Sequence, residues 1–182
     1  MDKKDNLAVL FPGAGYNVDK PLLYYASNKY YFKGYKSLKI NYGDCLKQDK
    51  PFPEIIGDIK KIVLNQADEV DFSIYDDVVF VSKSMGTVIA GWLAERLNKE
   101  NIRHVYLTPV NDTLQFIKSG KNISIVIAGT KDDFVNLEIL KEQCRREKIK
   151  LELIEGADHG LTVINEDVNF NIDILKRVVE LY

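Results

Sequence analysis

Short apolar runs rich in β-branched and aromatic residues alternate along this chain with longer segments of helical period, and few architectures accept that alternation. A run with no polar alternation, such as Leu7-Ala8-Val9-Leu10-Phe11, is what a strand covered on both faces needs. Strands separated by helices return by crossovers and lie parallel. The runs place strands at 7–11, 36–40, 77–81, 103–107, 123–128 and 150–154. Helical spacing falls between and after them, near 20–33, 53–68, 85–98, 112–118, 136–147 and 167–181. The expectation is an α/β protein, a three-layer α/β sandwich around a mostly parallel six-stranded sheet. With 182 residues and no long linker, low-complexity stretch or repeat, the chain reads as one domain spanning 1–182. In such a sheet the ligand crevice lies outside the carboxyl ends of the strands, so chemistry belongs in the loops that follow each strand.

Composition removes several function classes. Lysine and arginine number 25 against 27 acidic residues, a net charge of -2, so no basic field draws nucleic acid or an anionic membrane surface. Two cysteines, Cys45 and Cys144, stand far apart in no metal or redox spacing, which argues against a disulfide framework or a zinc site and for free thiols in a reducing compartment. The first apolar run, 7–11, stops at Pro12 and is too short for a secretory signal. No stretch reaches the roughly 20 apolar residues of a membrane span. A cytoplasmic location is expected.

After the strand at 77–81 the chain reads Ser82-Lys83-Ser84-Met85-Gly86 and enters an apolar-faced helix directly. This is the strand-turn-helix setting of a G-x-S-x-G nucleophile elbow, with Ser82 in place of the first glycine. The turn needs small residues on both sides of the nucleophile because strand and helix backbones approach closely there, and serine is small. The same pentapeptide also reads as a glycine-containing helix start capped by Ser82 or Ser84. The strand at 123–128 runs into Gly129-Thr130-Lys131-Asp132-Asp133-Phe134-Val135, so a carboxylate follows a strand, as a turn former or helix cap also would. The last strand runs into Gly156-Ala157-Asp158-His159-Gly160, while the other histidine, His104, opens its strand at the opposite edge. Hydroxyl, carboxylate and imidazole thus each follow a strand in the chain order Ser, Asp, His, which is the order of the α/β-hydrolase triad.

The chain resembles a small α/β-hydrolase over nearly its whole length. The likeness rests on Leu10-Phe11-Pro12-Gly13-Ala14-Gly15, Ser82-Lys83-Ser84-Met85-Gly86, the Gly129 to Val135 stretch and Gly156-Ala157-Asp158-His159-Gly160. Pro12 stands where the family usually has a histidine. The resemblance implies a minimal α/β-hydrolase fold and a serine hydrolase of carboxylesterase type, acting on a small acyl substrate with no cofactor and no metal. In it Ser84 is the nucleophile, His159 the base and Asp132 the residue that orients it. Asp133 is a competitor for the acid, and Asp112 a third possibility because some members take it from the earlier strand.

Oxyanion stabilisation would come from the Met85 amide, just after the nucleophile and at a helix start. The resemblance points to the Ala14 amide as the second donor, with Gly15 or Tyr16 as substitutes. A dinucleotide-phosphate reading of Gly13-x-Gly15 fails because the third glycine of that fingerprint is Val18. The span 108–122 is too short for a large lid, which favours short or soluble substrates.

Three other features have an ordinary and a functional reading. Lys83 is either a solvated lysine, the preferred expectation, or a contact to an anionic substrate. Seven of the ten tyrosines lie between Tyr16 and Tyr42, as packing for the first helix or as the wall of an acyl pocket, with packing preferred. Cys45 reads as a buried small hydrophobe. A thioesterase or acyltransferase on the same residues, and an inactive binding protein that keeps the fold, remain alternatives at this stage.

Overall fold

The computed structural model describes residues 5–99 and 102–182. Among the described residues six strands form one sheet: β1 (Asp5–Phe11), β2 (Tyr35–Lys39), β3 (Tyr75–Lys83), β4 (Ile102–Leu107), β5 (Ile123–Gly129) and β6 (Leu151–Ile154). Their order across the sheet is β2-β1-β3-β4-β5-β6. Each neighbouring pair is parallel, so the sheet expected to be mostly parallel is wholly so. Among the same described residues, five α-helices supply the outer layers: α1 (Pro21–Phe32), α2 (Phe52–Asp68), α3 (Met85–Leu97), α4 (Leu137–Arg146) and α5 (Val168–Leu181).

Strand alternation sorts the apolar residues to two sides. Val9, Phe11, Val78 and Phe80 meet Ile59 and Val63 of α2 and Ile89 and Leu93 of α3. Ala8, Leu10, Val79, Val81, Val105 and Leu107 meet Leu22, Leu23 and Ala26 of α1 and Val178 of α5. Because both faces are covered, central strands show no polar alternation, which is why they are conspicuous as runs. A smaller cluster joins Tyr106, Val126 and Ala128 to Leu140 and Cys144 of α4. Both cysteines are free and buried.

One expectation needs correction in detail. The helix expected at 112–118 is a 3₁₀ helix over Asn111–Phe116. So short a segment gains little from α-helical hydrogen bonding. Tertiary contact holds it instead: Gly91 of α3 leaves room for the Phe116 ring, and a methyl at 91 would come within 2.4 Å of that ring. Single-turn 3₁₀ helices at Cys45–Lys47 and Phe72–Ile74 escaped the periodicity, since three residues carry none. The span 108–122 holds only the 3₁₀ helix, so no large lid lies over the sheet edge. Among the described residues no helix is long and apolar enough to cross a membrane.

Candidate active site

Ser84 sits between β3 and α3 with φ 56° and ψ -127°, a left-handed conformation that costs a non-glycine residue free energy. The surrounding backbone enforces it. The Ser84 N–H donates to the Leu107 carbonyl of β4 at 3.0 Å, and Thr87 returns both its N–H and its hydroxyl to the Ser84 carbonyl, at 2.9 and 2.6 Å. Behind Thr87, the Thr113 hydroxyl lies 2.5 Å from that of Thr87 and accepts from the Val110 N–H at 3.2 Å. Gly86 is required at the bend: a Cβ there would lie 2.4 Å from the Pro12 carbonyl oxygen. Ser84 makes no side-chain cap to α3, so the helix-cap reading does not hold.

The hydroxyl points to histidine instead. Ser84 Oγ lies 2.7 Å from His159 Nε2, and His159 Nδ1 lies 2.9 and 2.8 Å from the two carboxylate oxygens of Asp132. A carboxylate only accepts, so Nδ1 carries the proton and Nε2 is free to accept from the serine. Asp132 is 6% exposed, and its Oδ1 also accepts the Phe134 N–H at 2.9 Å. Asp133 and Asp112 are exposed, and the imidazole's carboxylate contacts are both to Asp132. His104 is buried at the far edge among Phe80 and Tyr106.

The loops carrying Asp132 and His159 are clasped together. Thr130 N–H donates to the Ile154 carbonyl at 3.0 Å, Lys131 N–H to that of Ala157 at 2.8 Å, and Gly156 N–H to the Thr130 hydroxyl at 2.7 Å. In the loop after β1, Gly13 and Tyr16 exchange backbone bonds at 2.9 and 3.4 Å. The Ala14 N–H, at the exposed tip of that turn, has no acceptor among the described residues. Met85 is the first residue of α3, so its N–H has no intrahelical partner.

Residues 4–181 match the family described as the alpha/beta hydrolase domain. The chain belongs to that family. Its fold is similar to an alpha-beta serine hydrolase homologue from Coxiella burnetii, at 14% identity and TM-score 0.63 over 99% of this chain and 86% of that one. It is similar to an esterase from Pyrococcus furiosus at 16% identity and TM-score 0.65, covering 98% of this chain and 82% of that one. An α/β serine hydrolase without lid from Xanthomonas campestris aligns at 12% identity and TM-score 0.63, covering 98% and 81%. At such identities the likeness is one of fold. No curated protein matches the chain in sequence.

In this α/β-hydrolase the departures from the family pattern are accommodated. Ser82 is fully buried, and its hydroxyl donates to the Val105 carbonyl at 3.3 Å. Pro12 keeps the loop turn, and its carbonyl accepts the Tyr42 hydroxyl at 3.0 Å. Most tyrosines pack or face solvent, as expected, but Tyr16 and Tyr42 also touch this loop.

Two features escaped the sequence reading. The Phe134 ring, 61% exposed, lies 4.4 Å from the His159 ring, centroid to centroid, and forms an apolar rim. Lys83 overturns the expectation of a solvated lysine: it is 2% exposed. Its parity would have indicated this, because it follows Val79 and Val81 on a buried face of β3.

The clasp between loops sets a sharp limit at Gly129. A Cβ there would stand 2.1 Å from the Ala157 carbonyl oxygen and 2.6 Å from that of Asp158, both backbone atoms of the His159 loop. Gly129→Ala is therefore expected to destabilise the α/β-hydrolase by about 3 kcal/mol, lowering Tm by roughly 6 to 12 °C in a circular-dichroism melt. A melt unchanged from wild type would mean the loops separate freely.

Proposed function

We propose that the chain is a serine hydrolase that cleaves carboxylic esters or related acyl bonds of small soluble substrates through an acyl-enzyme. What carries the reading is the unbroken relay from Ser84 Oγ through His159 to Asp132, each link within 2.9 Å.

A serine hydroxyl is a weak nucleophile until a base takes its proton. His159 Nε2 accepts that proton as Ser84 Oγ bonds to the substrate carbonyl carbon. Asp132 holds the tautomer and stabilises the imidazolium. Negative charge developing on the former carbonyl oxygen meets the N–H groups of Ala14 and Met85, the proposed oxyanion donors. As the carbonyl reforms, the bond to the leaving group breaks and His159 returns the proton to the leaving oxygen, which leaves the acyl group on Ser84. Water then repeats the sequence in reverse: His159 takes its proton, the hydroxyl bonds to the acyl carbon, and Ser84 departs reprotonated with release of the acid.

An open rim favours short acyl groups. Ala14 is exposed, Phe134 offers apolar surface, and the span after β4 builds no cap. The esterase and serine hydrolase neighbours agree with this reading of the chemistry.

The test is covalent capture by a fluorophosphonate, with peptide mass spectrometry, beside hydrolysis of p-nitrophenyl esters. One label per chain on the Ser84 peptide is expected, with acetate or butyrate esters turned over faster than palmitate. Failure of the native, folded chain to react overturns the proposal.

A further inference from the structure

Lys83 is the last residue of β3 and stands in the variable position of the elbow, yet its side chain is buried. Its Nζ donates to the backbone carbonyl of His159 at 2.8 Å, across 76 positions of sequence. The same ammonium lies 5.3 Å from the centroid of the Tyr16 ring. Tyr16 belongs to the loop that carries Ala14, and its hydroxyl accepts the Leu22 N–H of α1 at 2.8 Å. One cation thus joins the strand before Ser84, the loop of His159 and the loop of the proposed oxyanion donor Ala14.

Stability alone does not account for an ammonium in that place. Burying a cation is costly, and one carbonyl with one ring is meagre compensation. Burial lowers the Lys83 pKa to about 8, while the charges of Asp132 and Asp158 act in the opposite direction. An unbranched apolar side chain such as methionine would fill similar space without that cost. The ammonium is spent instead on the His159 carbonyl. The loop around it holds itself through Asp158, whose Oδ1 accepts the N–H groups of Gly160 and Thr162 at 2.7 and 3.0 Å and whose N–H donates to the Thr162 carbonyl at 2.9 Å. Those bonds, with the Leu161 N–H donating to the Asp158 carbonyl at 3.0 Å, fix the turn from within, and Lys83 adds the one bond to the His159 carbonyl that ties this turn to β3.

We propose that Lys83 is a positioning residue for the acyl-transfer relay: by holding the His159 carbonyl from beneath, it keeps the imidazole between Ser84 and Asp132. The proposal rests on the reading of Ser84 and His159 as nucleophile and base. A displacement of the base by about 1 Å can cost up to a hundredfold in rate, so a tether acting only through the backbone is sufficient to matter.

Lys83→Met tests this on the whole chain, with p-nitrophenyl butyrate turnover and a thermal melt measured together. The expected result is a kcat lower by about ten- to a hundredfold with KM within about twofold, and a Tm equal to or above that of wild type. A merely structural lysine predicts instead that Tm and activity fall together, and that outcome overturns the proposal. So does wild-type kcat in the variant.

The pH profile gives a second reading. The groups facing the ammonium are the His159 carbonyl, the carboxylates of Asp132 and Asp158, and the face of the Tyr16 ring. Loss of the Lys83 proton weakens the tether, so wild-type kcat should decline along a basic limb near pH 8 that Lys83→Met lacks. If methionine at 83 prevents folding, the wild-type profile alone decides: a limb supports the tether, and a flat line from pH 7 to about 10 overturns it. A native chain that neither labels at Ser84 nor turns over ester defeats the serine-hydrolase reading itself. A labelled, active chain indifferent at position 83 defeats only this inference.

Discussion

Ser84→Ala should leave a folded protein whose kcat for a short p-nitrophenyl ester is lower by about 10⁶-fold, the scale of loss when a triad nucleophile is removed. That factor corresponds to about 8 kcal/mol of barrier. Nothing nearby replaces the hydroxyl: Thr87 and Thr113 are engaged with the Ser84 carbonyl and each other, and the Lys83 ammonium is bonded to the His159 carbonyl. Stability should change little. Alanine bears the same left-handed backbone as serine, so no strain is relieved, and one hydrogen bond to His159 is lost, worth about 1 kcal/mol. Fluorophosphonate capture should disappear together with turnover. Retention of more than about 1% of wild-type kcat, far above the expected residue of activity, would place the nucleophile elsewhere.

Asp132→Asn should lower kcat by roughly 10⁴-fold with substrate binding nearly intact, and the reason is a count of hydrogen-bond donors. The carboxylate accepts three contacts, from Phe134 N–H and twice from His159 Nδ1. An asparagine has one acceptor oxygen and one NH₂ group. If the oxygen stays with Phe134, the amide turns its NH₂ toward Nδ1, which must then accept. The ring proton moves to Nε2, and Nε2 can no longer take the proton of Ser84. Asp133→Asn is the matched control, since Asp133 is exposed and makes no contact with the imidazole; its kcat should stay within about twofold of wild type. If the Asp133 change proves the damaging one, the acid has been misassigned.

The architecture was readable in the linear chain because a parallel sheet covered on both faces leaves a signal that survives without coordinates. Val78 to Val81 or Ile125 to Ala128 can satisfy their backbone in few other ways, and helices such as α3 carry their apolar positions at helical spacing. Strand ends were less legible. β3 extends through Lys83, because hydrogen bonding to β4 continues past the last apolar residue. The 3₁₀ helix after β4 was unreadable as such, since its conformation depends on Phe116 meeting Gly91.

Residue types and their order along the chain pointed to Ser84, Asp132 and His159, which the fold brings into contact, because the proposed acyl-transfer chemistry needs three unlike groups and this topology delivers each after a strand. Distances belong to tertiary structure alone. Whether Asp132 or its neighbour faces the imidazole is decided by one Phe134 amide and by the clasp at Gly129. Whether Lys83 is wet or dry is decided by the loops of Tyr16 and His159, both distant in sequence and on either side of it. Local sequence dictates which strand, turn or helix a segment can form, through backbone sterics and the period of burial. The charge environment of a side chain depends on which distant backbone closes over it, and no local rule contains that information.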